Sequence, residues 1–145
     1  MREVVNMAGT FIYLRIEGDA IDFQELDKHL KLKPQLIQKK GEKFQIKRNK
    51  SKQLNKAGVY KTDCWQYEME AEEGMNMEAL LDQFLDALEE DRPVLQCLSE
   101  CYDIKLYISA YPESRHYSFD FSKEQLQRIG SYRIPLAFSA LYLGE

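Results

Sequence analysis

No segment of this 145-residue chain approaches the roughly 18 consecutive apolar residues of a membrane span, so nothing in it predicts a transmembrane helix. Met1 to Thr10 holds one Arg, one Glu and no sustained apolar run, which is not the build of a secretory signal. Cysteine is scarce. Three cysteines, an odd number, do not make a disulfide framework and point to a reduced, cytoplasmic setting. With only His29 and His116, little imidazole is available for a metal centre or for general-base catalysis. Signature loops are missing too. Lys40-Gly41-Glu42 lacks the spaced glycines and the following Ser or Thr of a phosphate loop, and no sharp-turn signature surrounds Cys64. The chain therefore offers no catalytic residue, no metal set and no cofactor motif.

What is present argues for one ordered domain. Hydrophobic residues make up 44% and aromatics 12%, nine of them Tyr, which excludes a disordered chain. A chain of this length buries about two thirds of its unfolded surface and needs no disulfide or metal staple. The expectation is a single domain over 1–145, with an ordered core over 11–143. Net charge is only −4, but it is unevenly spread. Gln38 to Lys61 carries nine basic residues and one acid, Glu42; Tyr67 to Asp91 carries ten acids and no base. The basic run reads as a solvated loop or hairpin, with 47–58 the best candidate for a mobile segment. The acidic run reads as the outer face of a helix.

Alternation marks the strands. Ile12, Leu14 and Ile16 share one face of a strand over Phe11–Glu17, and Phe11, Tyr13, Arg15 and Glu17 share the other. Trp65–Ala71, Ile104–Tyr111 and Ile134–Leu143 alternate in the same way, and Phe44-Gln45-Ile46 suggests a further short strand. Helical spacing is strongest for Met77, Leu80, Leu81, Phe84, Leu85 and Leu88. Asp22 with Glu25 and Ser122 with Gln125 signal capped helix starts over 22–31 and 122–130. A fourth helix over 93–101 should bury Val94, Cys97, Leu98 and Cys101. The order strand, Phe-Asp or Asp-Phe step, helix, proline occurs twice, ending at Pro34 and at Pro135. Elements that each bury one side predict an α+β, two-layer sandwich built on an internally repeated strand-loop-helix unit. The sheet is expected to be mainly antiparallel, with all helices on one face.

Several of these segments resemble a known family. Leu14-Arg15-Ile16-Glu17-Gly18-Asp19, Leu32-Lys33-Pro34, the Lys40-Gly41-Glu42 step, Trp65 in its strand and the Phe121-Ser122 to Leu126 helix together resemble domain-of-unknown-function family 4279. The resemblance spans about Phe11 to Leu143; the basic stretch from Lys47 to Lys56 matches no signature of the family. It implies a bacterial, cytosolic domain without an established activity and transfers no catalytic residue.

Chemistry is then weighed residue by residue. Cys97 and Cys101, four apart, read as small hydrophobes lining a core rather than as half of a zinc site. A nucleophilic set of Cys64, His116 and an acid has no supporting motif, and the many carboxylates lie mostly on solvated helix faces. The second face of the sheet is more informative. Tyr13, Arg15 and Glu17 from the first strand, and Lys105, Tyr107 and Tyr111 from the third, lie on it, and Tyr and Arg are the residue types enriched at interfaces. With Lys40, Glu42 and Trp65 they form the candidate binding surface. The favoured function is a non-catalytic module that binds a protein partner. Single-stranded nucleic-acid binding through the aromatic face and basic loop is the alternative, disfavoured by the acidic balance. A small hydrolase or transferase is the third reading.

Overall fold

The computed structural model describes residues 9–47, 55–112, 114–116, 118–142 and 144. Among the described residues there are seven strands, β1 (Thr10–Gly18), β2 (Leu36–Gln38), β3 (Lys43–Lys47), β4 (Asn55–Val59), β5 (Asp63–Glu70), β6 (Asp103–Ala110) and β7 (Leu136–Ala140). The same residues hold four α-helices, α1 (Phe23–His29), α2 (Met77–Leu88), α3 (Arg92–Leu98) and α4 (Lys123–Ser131), with a 3-10 turn at Glu89–Asp91 between α2 and α3. No helix among the described residues is long and apolar enough to cross a membrane.

Five strands form one sheet in the order β2-β5-β1-β6-β7. Every pairing is antiparallel except β6–β7, which is parallel because α4 carries the chain back across the sheet between them. Both strand-helix-strand units close on a strand parallel to the one that opened them. They differ in placement: β5 lies between β1 and β2, whereas β7 pairs directly with β6.

The period-2 pattern of β1 resolves as the sequence suggests. Ile12, Leu14 and Ile16 are fully buried, while Tyr13 and Arg15 between them are only half-buried. Leu26 of α1, the apolar stripe of α2, Leu95 of α3 and Ile129 of α4 all join the same cluster as Ile12, Leu14, Ile16, Ile104, Leu106 and Ile108. All four helices therefore pack on one face of the sheet. Local signals position their starts. Asp22 accepts the Glu25 N–H, Asn76 accepts the Ala79 N–H, and Ser122 and Gln125 form a full capping box. Gln125, itself buried, also donates to the Glu78 carbonyl and to Asp82 Oδ1, tying α4 to α2.

Four features depart from expectation. The last strand is only Leu136–Ala140, so Tyr142 lies beyond it. β2, three residues long, carries too short a pattern to be read. Within the basic segment, Asn55–Val59 pairs with Lys43–Lys47 as a separate two-stranded ribbon, so Lys47 and residues 55–58 belong to strands. Residues 48–54 lie outside those described. The ribbon is entered through a tight turn in which Gly41, at φ 91°, adopts a left-handed conformation that favours glycine.

The fourth departure concerns α3. It spans only seven residues, and the residue it buries is Leu95; Val94 and Leu98 are half-buried and Cys97 and Cys101 are exposed. Cys101 sits in the turn after the helix, so the four-residue spacing does not place it on a buried stripe. The cysteine that is buried is Cys64, at 2% exposure in β5, where burial pushes its thiol pKa up. Ellman titration of the native protein should therefore give two fast thiols and a third that reacts only on denaturation. Fast reaction of all three would contradict this placement.

Candidate functional site

The face of the sheet opposite the helices is built by the odd-numbered residues of β1 and by their cross-strand neighbours. Register fixes the rows. Tyr13 stands opposite Glu68 of β5 and Tyr107 of β6; Arg15 stands opposite Gln66 and Lys105; Glu17 stands opposite Cys64 and Asp103. Side chains directly opposite one another on adjacent strands are close enough to interact. The rings of Tyr13 and Tyr107 stack with centroids 4.8 Å apart and planes 12° from parallel.

Arg15 is the hub. Its guanidinium carbon lies 5.9 Å from the Tyr13 centroid and 5.8 Å from that of Tyr107, within cation–π range of both. Its Nε donates to Gln66 Oε1 at 3.0 Å, and its Nη1 lies 3.4 Å from Glu17 Oε2. Gln66 Nε2 then donates to Glu68 Oε1 at 3.2 Å. Lys105 places its ammonium 5.6 Å from the Tyr107 ring. The chain Glu17–Arg15–Gln66–Glu68 fixes the guanidinium, and the guanidinium in turn fixes the two rings. Burial pushes the Tyr13 phenol above its ordinary pKa, and Tyr107, Glu68 and Tyr111 push the same way against the opposing pull of Arg15. Its hydroxyl therefore keeps its proton at neutral pH and can donate a hydrogen bond. A shallow depression of about 280 Å³ lies over Phe11, Tyr13, Arg15, Gln66, Glu68 and Tyr111.

The structure thus brings together Tyr13, Arg15, Glu17, Lys105, Tyr107 and Tyr111, and adds Gln66 and Glu68. Those two share the polar parity of β5, but their place beside Arg15 depends on strand order, for which the sequence carries no local signal.

Three predicted members fall elsewhere. Trp65 is 2% exposed and belongs to the helix-covered side, in register with Ile16, so it is a core residue and not part of the surface. Trp65 shares the helix-facing parity of β5 with Tyr67 and Met69, because Ile16 pairs with Trp65. Lys40 and Glu42 lie in the exposed turn beyond the end of β1. The Lys40 backbone N–H donates to Asp63 Oδ1 at 2.7 Å, and the Lys39 N–H donates to Glu42 Oε1 at 3.2 Å. Asp63 also accepts the Ile21 N–H, and these backbone bonds hold its carboxyl below the ordinary range. Their role is to anchor the ribbon's entry.

A second concavity, of 460 Å³, runs between α1 and α3 on the helical side. Leu26, Pro93, Val94, Leu98 and Tyr102 make it largely apolar, with His29 and Cys97 on its walls. His29 Nε2 is 3.0 Å from Glu25 Oε1. Cys97 lines the same groove as His29, whereas Cys101 lines a different concavity, with Glu17, Asp19 and Thr62. Among the described residues, no group of three or more His, Cys, Asp or Glu side chains is gathered as a metal ion would require.

The sequence profile described as Domain of unknown function (DUF4279) matches residues 8–143, nearly the whole chain. No curated protein and no solved structure matches it.

Proposed function

Because the chain belongs to the family described as Domain of unknown function (DUF4279), membership brings no assigned activity, and we propose from its own geometry a non-catalytic binding module whose open sheet face recognises a protein partner. One observation carries this reading: the stacked Tyr13–Tyr107 pair with Arg15 held against both rings. Tyr and Arg dominate binding energy at protein interfaces because they bring large contact area with polar tips. Here their rotamers are already fixed by neighbours in the free protein, which lowers the entropy lost on association. The setting also suits a protein better than a polyanion. Glu17, Glu68 and Asp103 surround Arg15 and Lys105, so the face carries both signs and repels a phosphate backbone. Three free cysteines fit action in a reducing compartment such as the cytoplasm.

The test compares three proteins as bait: wild type, the Tyr13→Ala/Tyr107→Ala double variant, and a helix-side control, Lys123→Ala. A partner held by wild type and control should be lost by the double variant, with affinity falling at least about 100-fold for two central anchors. Anisotropy with a fluorescent oligothymidine covers the alternative. Salt-sensitive binding that survives in the control and disappears in the double variant would replace the protein partner with single-stranded nucleic acid.

A further inference from the structure

β7 ends the sheet on one side, and its hydrogen-bond parity is fixed by its neighbours. The Leu106 N–H donates to the Pro135 carbonyl and the Leu141 N–H donates to the Ala110 carbonyl, each at 3.0 Å. In a parallel ladder the N–H and C=O of one residue point the same way, and successive residues alternate. Positions 135, 137, 139 and 141 therefore face β6, and Leu136, Phe138 and Ala140 turn their N–H and C=O groups away from it. Among the described residues no backbone or side-chain group pairs with those outward groups. An open row of this kind is a template for another strand, and proteins ordinarily blunt it with charge, proline or a bulge. β7 has none of these. Its sequence is Leu-Ala-Phe-Ser-Ala, and it exposes Phe138 at 48%, with Leu141 just beyond it at 53%.

We infer that this edge is the interface of a homodimer, in which β7 pairs antiparallel with β7 of a second copy about a two-fold axis at Phe138. The inference does not depend on the binding role given to the polar face. Three observations select a second copy. Phe138 is the central residue of the strand and has both backbone groups outward, so it can exchange two hydrogen bonds with its own counterpart. The same register sets Leu136 opposite Ala140 and Ile134 opposite Tyr142, so apolar residues meet and no like charges face each other across β7. Phe138 already packs edge-on against Phe119, 5.1 Å between centroids, and the two-fold would bring its exposed side against the other copy's Phe138. Two β7 edges meeting in this way form a closed, isologous pair. Pairing β7 with the three-residue β2 edge would instead propagate an open polymer.

Sedimentation velocity from about 1 to 200 µM should show a monomer–dimer equilibrium that ends at the dimer. Ala140→Pro removes only an outward N–H, and proline is tolerated on a free edge, so the β6 ladder survives. It deletes one inter-copy bond from each protomer and should weaken dimerisation about tenfold or more. Phe138→Lys sets two like charges at the axis and should leave a monomer. A readout without substitution backs these variants. Amide exchange at Leu136, Phe138 and Ala140 should slow as concentration rises, while Ala137 and Ser139, bonded to β6, stay protected throughout. A wild-type monomer at every concentration, an open-ended polymer, a dimer unaffected by both substitutions, or a dimer with fast exchange at those three amides would each overturn the inference.

Discussion

Trp65→Ala is expected to lower unfolding stability by about 3–5 kcal/mol, the cost of emptying a large aromatic site that the surroundings refill only in part. Trp65 is 2% exposed and lies in register with Ile16 on one side and Ile37 on the other. Its ring joins the cluster that includes Leu14, Phe84 and Leu88. The contrast with the other face gives the prediction its edge. Lys105→Ala, on the polar side of β6, should cost less than about 1 kcal/mol, because a half-exposed lysine loses little on truncation. Urea denaturation monitored by far-UV circular dichroism measures both. Near-equal midpoints for the two variants would place Trp65 on the surface after all.

Asp91→Ala is the second large loss, about 3 kcal/mol. Asp91 is 1% exposed, and its carboxylate does not cap the helix it precedes. It turns instead to the chain leaving α1. The Lys31 N–H donates to Oδ1 at 2.9 Å and to Oδ2 at 3.0 Å, and the Leu32 N–H donates to Oδ2 at 3.0 Å. Truncation strands two backbone donors, the second of them buried, and each such donor costs about 1–3 kcal/mol. In a chain of this size the result is a fall in melting temperature of roughly 10 °C. Asp91→Asn keeps one acceptor oxygen and should recover part of the loss. Scanning calorimetry reads all three proteins, and a melting point within about 2 °C of wild type for Asp91→Ala would refute the latch.

Asp91 also marks where a sequence stops being legible. Residues that report on their own neighbours were readable: the alternation of Ile12, Leu14 and Ile16, the stripe from Met77 to Leu88, and the Ser122/Gln125 box. Each is a local pattern with a physical period or a fixed hydrogen-bond offset. The Asp91 latch joins residues 60 apart and leaves no such pattern. Cys97 departs from the expected burial for a related reason. In a helix of seven residues two adjacent stripes are equally consistent with the spacing, and tertiary packing buried Leu95 instead.

The candidate surface divides along the same line. Tyr13, Arg15, Glu17, Lys105, Tyr107 and Tyr111 followed from parity along single strands. Gln66 and Glu68 required knowing that β5 lies beside β1, whereas Trp65 alternates with Gln66 in step with Tyr67 and Met69, a local pattern that already sets it on the core side. Parity within a strand is local. Its phase relative to a neighbouring strand is set by pairing.

Hydroxyl-radical footprinting of the protein alone and with its captured partner is the most direct test of the recognition surface. Tyr13, Tyr107 and Tyr111 should be labelled in the free protein and lose most of that labelling in the complex, while His29 and Cys97 on the helical side keep theirs. Protection of His29 and Cys97 with the three tyrosines unchanged would contradict the account and move recognition to the groove between α1 and α3.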